Sequence, residues 1–159
     1  MRGFVAVDIE TTGLDPLHHE VIEVGMIIDL PDHPEVYPVE FSLAFDENKA
    51  DPEALAVNGW GSREFAPLIN PRDAALVLHE NLDDVHIVGK NPTFDAGFLE
   101  VFLKRHGYQR NWHHRLVDVG SLFWGWYNAI HDDEDLILEP PKEGIVRWPY
   151  VDVTQGGSG

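Results

Sequence analysis

Residues Val5 to Leu14 read Val-Ala-Val-Asp-Ile-Glu-Thr-Thr-Gly-Leu: an apolar run ends on two acids one residue apart, then turns through a threonine pair and a glycine. Alternate side chains of a β-strand share a face, so Asp8 and Glu10 project from one side, about 7 Å apart along the backbone. Two anions held there repel each other and lose hydration, and a bound divalent cation is the commonest way to offset both losses. The chemistry indicated is that of a hard metal ion held by carboxylate oxygens. Acids make up 28 of the 159 residues, so a bare Asp-x-Glu recurs by chance. Its place at the end of a hydrophobic strand is what separates this pair from chance, because acids seldom sit there without a partner.

A third acid stands in Gly89-Lys-Asn-Pro-Thr-Phe-Asp95-Ala-Gly-Phe-Leu99, where an apolar strand hands over to a helix. The helix dipole alone favours an acid in a first turn. A strand here parallel to the first would also bring Asp95 beside Asp8 and Glu10. Phe94, Phe98 and Phe102 have the spacing of core residues.

The elements that must position these acids follow from punctuation and period. A first strand is expected over about Gly3 to Ile9, and a second over Val21 to Leu30, whose apolar run is too continuous for a strand buried on one face only. A third, over Val36 to Phe45, carries Pro38 and is read as an edge. Asp51-Pro52-Glu53 and Asn70-Pro71-Arg72-Asp73 are helix starts with a capping side chain and a proline at the first helical position. A short strand over Val85 to Gly89 precedes a helix from Asn91-Pro92 to Arg105 or His106, with Gly107 as its stop. Arg115 to Val119 is read as a fifth strand, and Gly120 to Ile130 as a helix whose Trp124, Trp126 and Tyr127 have core-like spacing. His131 to Gly159 has no clear period and is expected to be mostly loop. Three antiparallel strands followed by β-α-β units make a mixed α/β sheet with helices on both faces. Ligands of such sheets lie at the carboxyl ends of the strands, where Asp8 and Glu10 stand.

Asp8-Ile-Glu10-Thr-Thr-Gly-Leu resembles the first motif of the DEDD-type 3′→5′ exonucleases, the family of polymerase proofreading subunits and oligoribonucleases. Asn91-Pro-Thr-Phe94-Asp95 resembles the second, and Leu116-Val-Asp118-Val is similar to the strand that usually follows. The resemblance covers about Phe4 to Leu122. It implies a ribonuclease-H-like five-stranded sheet flanked by helices, two Mg²⁺ or Mn²⁺ ions, and hydrolysis at the 3′ end of single-stranded DNA or RNA. Carried onto matching positions, Asp8 would bridge both ions, Glu10 would serve the ion that activates water, and Asp95 the other, partly through water. The backbone of Thr11, Thr12, Gly13 and Leu14 would approach the terminal nucleotide, Gly13 allowing a close turn and Leu14 offering an apolar wedge. Asn91 and Phe94 would lie on the substrate side. A polymerase or another replication protein is the partner implied.

The family's third motif, His-x₄-Asp on a late helix, supplies the general base and the last metal ligand. His113 and Asp118 have that spacing but fall in a loop and strand only 23 residues after Asp95. His131 and Asp135 are one residue short, and Asp132 to Asp135 read as a solvated acidic loop. Residues 1–159 are therefore expected to be a single exonuclease-like domain that lacks its C-terminal closing helix, a fragment of a longer protein rather than a domain that has lost its base. The closing Gly156-Gly-Ser-Gly159 resembles an engineered linker. Without the base, hydrolysis would be slower by on the order of 10²–10⁴. The alternative expectation is a catalytically impaired domain that binds nucleic acid or protein.

A net charge of −17 argues against tight duplex binding through counterion release, whereas metal-held phosphate escapes that objection. With no cysteine there are no disulfides or thiolate metal sites, and no apolar stretch reaches the length of a membrane span. A cytoplasmic location without membrane attachment is expected. His18 and His19 are read as exposed loop residues. Trp60, in Asn58-Gly-Trp60-Gly, is a candidate for stacking on a base. Lys90, Arg72, Lys104, Arg105, Arg110 and Arg115 are candidates for a backbone path.

Overall fold

A computed structural model of the protein describes residues 2–130. The expectations about His131 to Gly159, including the His131 and Asp135 pair, lie outside them. The chain opens with β1 (Phe4–Thr11), β2 (Val21–Asp29) and β3 (Tyr37–Ser42), followed by a 3₁₀ turn (Glu47–Lys49) and helices α1 (Pro52–Asn58) and α2 (Pro71–Asn81). Strand β4 (His86–Gly89), helix α3 (Pro92–Arg105), strand β5 (Val117–Asp118) and helix α4 (Val119–Ile130) complete the described chain. The five strands form one sheet in the order β3-β2-β1-β4-β5. Both hairpin pairings are antiparallel, while β1–β4 and β4–β5 are parallel. This is the mixed sheet of the ribonuclease-H-like exonuclease fold, and Pro38 lies on an edge strand.

Alternation on β1 decides where the core goes. Val5, Val7, Ile9 and Thr11 are buried on one face, where Val24, Met26 and Ile28 of β2 join Ala74, Ala75 and Leu78 of α2 and Phe98, Leu99, Phe102 and Leu103 of α3. Phe4, Ala6, Asp8 and Glu10 take the other face. That face is more open than the apolar run of β2 led us to expect: Ile27, opposite Ala6, is 56% exposed. Hydrophobicity along a strand does not report which face a helix covers.

Local signals set the helix starts. Asp51 and Asn70 accept hydrogen bonds from the backbone N–H groups of Glu53 and Arg72, and a proline follows each cap. Gly107, just past α3, has φ +87°, the left-handed stop that glycine adopts cheaply. Two expectations need correction. The fifth strand is only Val117–Asp118, which pair with Val88 and Gly89 of β4. On α4, Leu122, Phe123 and Trp126 are exposed, so its aromatic spacing does not mark a core helix among the described residues. No helix among the described residues is long and apolar enough to cross a membrane.

Candidate active site

Asp8 and Glu10 sit at the carboxyl end of β1, on the face away from the α2–α3 core. Between them the backbone N–H of Ile9 donates a 3.1 Å hydrogen bond to Oδ1 of Asp95, from the first turn of α3. That bond ties the second motif to the backbone inside the first. Asp95 is only 5% exposed. Burial, reinforced by the nearby Asp8 and Glu10 charges, pushes its carboxyl up to about 6 despite the hydrogen bond.

The same two causes act on the other acids. Loss of hydration, then the Glu23 carboxylate, raises Asp8 although its side chain opens to solvent. Glu10 is raised by loss of hydration and by Asp8, with the Arg63 guanidinium acting against them. Each of the three carboxylates therefore feels its neighbours as negative charge, and of the three only Glu10 has that charge partly offset by a nearby cation. Among the described residues, the Asp8 and Asp95 carboxylates have no cationic partner.

Glu23 went unremarked in the sequence, although a lone acid inside Val21-Ile-Glu23-Val-Gly-Met26 is a visible signal. The antiparallel register sets it directly opposite Glu10. Its Oε1 accepts from Ala66 N–H at 2.7 Å and its Oε2 pairs with Arg63 Nη2 at 2.5 Å. The pairing register then shifts between Glu10 and Thr11, a bulge at the point where the motif leaves the strand.

The turn beyond Glu10 is held by one internal bond and by Glu20 and Asn58. Thr11 Oγ1 donates to the Gly13 carbonyl, and Thr12 Oγ1 accepts from Glu20 N–H. Thr12 N–H donates to the Glu20 carbonyl, while Asn58 Nδ2 donates to the Thr11 carbonyl. Both threonines are buried, and only Leu14 stands out, 80% exposed. At Gly13 a Cβ would lie 2.4 Å from the His19 ring, which accepts from Asp15 N–H and packs over the turn, so any larger residue requires that ring to move. His18 is exposed and pairs with Asp15.

At the second motif, Asn91 adopts a left-handed conformation (φ 55°) and makes no side-chain cap, so Asn91-Pro92 differs from the other two helix starts. Its N–H donates to Oδ1 of Asp118, whose carboxylate also accepts from Gly120 N–H and Ser121 Oγ at the start of α4. Asp118 thus braces the turn that carries Asp95. Phe94 is half-buried against Phe98, on the rim of the core. His113 does not meet Asp118; its ring packs against those of His86 and His114. Trp60 packs edge-on between Phe45 and Phe65, which leaves it poorly placed as a stacking platform.

The donor set around Asp8 consists of hard carboxylate oxygens with unbalanced charge, which suits Mg²⁺ or Mn²⁺. Among the described residues, no three histidine, aspartate or glutamate side chains are arranged to hold an ion unaided. Mg²⁺ characteristically takes one or two carboxylates and completes its shell with waters and substrate phosphate, so a ready-made cage is not a requirement.

Known structures share the fold. A product-bound exonuclease I superposes with a TM-score of 0.66 at 19% identity, over 89% of this chain and 35% of the other. The zinc-bound form of an E. coli ExoI–ssDNA complex gives 0.62 at 20% identity, over 80% of this chain and 30% of that one. An ExoI/SSB-Ct complex gives 0.65 at 20% identity, over 91% and 33%. The chain spans about a third of the length of these structures. The RNase_T exonuclease family model matches residues 5–133, a stretch that holds both acidic motifs and the sheet that carries them. By this match over most of its length, the chain belongs to the DEDD-type 3′→5′ exonuclease family.

Proposed function

We propose that the chain is the nuclease domain of a divalent-metal-dependent enzyme that removes nucleoside 5′-monophosphates from the 3′ end of single-stranded DNA or RNA. The observation that carries this reading is the Ile9–Asp95 hydrogen bond, which joins two acidic motifs distant in sequence at one strand end. Asp8 would contact both ions, Glu10 the one on the side of the attacking water, and Asp95 the other, partly through water. When bound, the ions supply a water of lowered pKa and a counter-charge for the leaving oxygen. Ile9 N–H keeps Asp95 aimed at the strand end. Leu14 would lie against the terminal base, with the Thr11–Gly13 backbone, Asn91 and Phe94 bordering the nucleotide. For a chain of net charge −17, a replication partner, polymerase or other, would help to deliver the strand.

The test is a 5′-labelled oligonucleotide incubated with the protein and Mg²⁺ or Mn²⁺. A ladder shortened from the 3′ end, abolished by chelator and by Asp8→Ala, is the expected result. A ladder that survives either treatment overturns the proposal. The alternative reading, a catalytically impaired domain that binds nucleic acid or protein, predicts retention of the oligonucleotide without shortening.

A further inference from the structure

The carboxylate cluster is electrostatically lopsided. On its Glu10 side stands Arg63, from the segment after α1, with Nη2 2.5 Å from Glu23 Oε2 and 3.7 Å from Glu10 Oε1. This guanidinium is clamped. Its Nε donates to the Asn58 carbonyl at 2.9 Å, its Nη1 to the Glu64 carbonyl at 3.2 Å, and its Cζ lies 3.9 Å above the Phe65 ring. The clamp is itself anchored: Asn58 is buried and bonded to the Thr11 carbonyl, and Ala66 N–H is bonded to Glu23. The Asp8 and Asp95 carboxylates, on the other side, have no such cation among the described residues.

We propose that Arg63 is a built-in counter-cation that holds Glu10 and Glu23 in place and competes with a divalent ion for the Glu10 carboxylate. The inference rests on the reading of these acids as metal ligands. A guanidinium fixed by two carbonyls and an aromatic face loses little entropy in holding a carboxylate, so the bond to Glu23 keeps a fixed positive charge beside Glu10 before any ion arrives. The same fixed charge repels an ion approaching Glu10, and it acts through space at short range in a partly desolvated site. Arg63 is thus a positioning residue: it exchanges affinity on one side of the site for order in the empty protein.

Calorimetric titration of the protein with Mn²⁺ reads this directly, without turnover. Arg63→Gln removes the charge and is expected to tighten Mn²⁺ binding about fivefold, the scale of a half-exposed ion pair. Arg63→Lys keeps the charge without the fork that the two carbonyls and Phe65 fix, and should fall between the parent and Arg63→Gln. In a Glu10→Gln background, the gain from Arg63→Gln should shrink, because competition for that carboxylate is gone and only the through-space repulsion remains. Binding that is unchanged or weaker in Arg63→Gln, a gain as large in Arg63→Lys, or a gain undiminished without Glu10 each overturn the inference while leaving the metal reading intact. Absence of Mn²⁺ binding in the parent and all variants overturns the metal reading, and the inference with it.

Discussion

Asp95 carries the largest electrostatic burden of any single residue described. Its carboxyl is raised from 3.8 to about 6, a shift worth roughly 3 kcal/mol at most. A carboxyl raised by folding stabilises the native state only while it stays protonated. Stability therefore falls as pH rises from the unfolded value toward about 6, and the whole cost is present above that. Asp95→Asn keeps an oxygen to accept from Ile9 N–H but removes the charge. In chelator it should melt higher than the parent at about pH 7.5, with little difference near pH 4. Paired thermal melts at the two pH values check this, and a variant that melts lower at the higher pH would show that the ionised acid is compensated. Adding Mn²⁺ should reverse the order if Asp95 serves an ion as proposed, because only the parent keeps that carboxylate. At this scale the sequence was partly legible. Asp8 and Glu10 announce themselves because they close an apolar run, and Asp95 because it stands in the first helical turn after one. Arg63 does not, since its role depends on meeting a glutamate 40 residues earlier, on another element.

Elements transmit that arrangement, and the shortest of them matters most. Helix α1 has only seven residues and little buried surface, yet its last residue, Asn58, is buried and donates to the Thr11 carbonyl where β1 ends. The following segment returns through Arg63 and Ala66 to Glu23 of β2. The strap so formed fixes the geometry beyond Glu10. Asn58→Ala leaves the Thr11 carbonyl buried without that donor, which should cost about 1–3 kcal/mol. A urea midpoint that falls, together with weaker Mn²⁺ binding, is expected. A stability loss with unchanged ion affinity would mean that the strap supports the fold alone. Elements with local signals were legible: the caps at Asp51 and Asn70, the proline of edge strand β3, and the Gly107 stop. Those set by tertiary pairing were not. The length of β5 depends on where the chain meets β4, two residues in all, and the exposure of α4 cannot be read from aromatic periodicity alone. Asn91-Pro92 imitates the other two starts, but its N–H is taken up by Asp118 across the sheet.

At the scale of the whole molecule, charge sets the terms on which any anionic strand is met. The chain carries 28 acids against 11 lysines and arginines. Several cations are committed to local pairs: Arg2 to Asp84, Lys49 to Asp46, Arg63 to Glu23 and Arg110 to Glu100. Arg105, a candidate for the strand path, instead bonds the Pro16 and Leu17 carbonyls and steadies the loop after the first motif. Among the described residues, these commitments leave Arg72, Lys90, Lys104 and Arg115 as the cations from which a basic track would have to be built. Attraction concentrated at the end of β1, where the proposed ions would be held, against a repulsive surround, predicts an unusual salt response. A protein gripping many phosphates loses affinity steeply as salt rises, by about 0.9 log units per phosphate contact for each log unit of salt. Here, raising salt from ~0.01 to ~1 M shortens the Debye length from ~30 to ~3 Å, which removes the distant repulsion while the closest contacts persist. Anisotropy of a labelled oligonucleotide ending in a 3′ phosphorothioate, measured in Mg²⁺, should give a shallow slope of about −1 or less in magnitude. The melting temperature without ligand should rise over the same range as self-repulsion is screened. A slope near −5 would reveal a basic track along the strand and move the source of affinity away from the carboxylate-held ions.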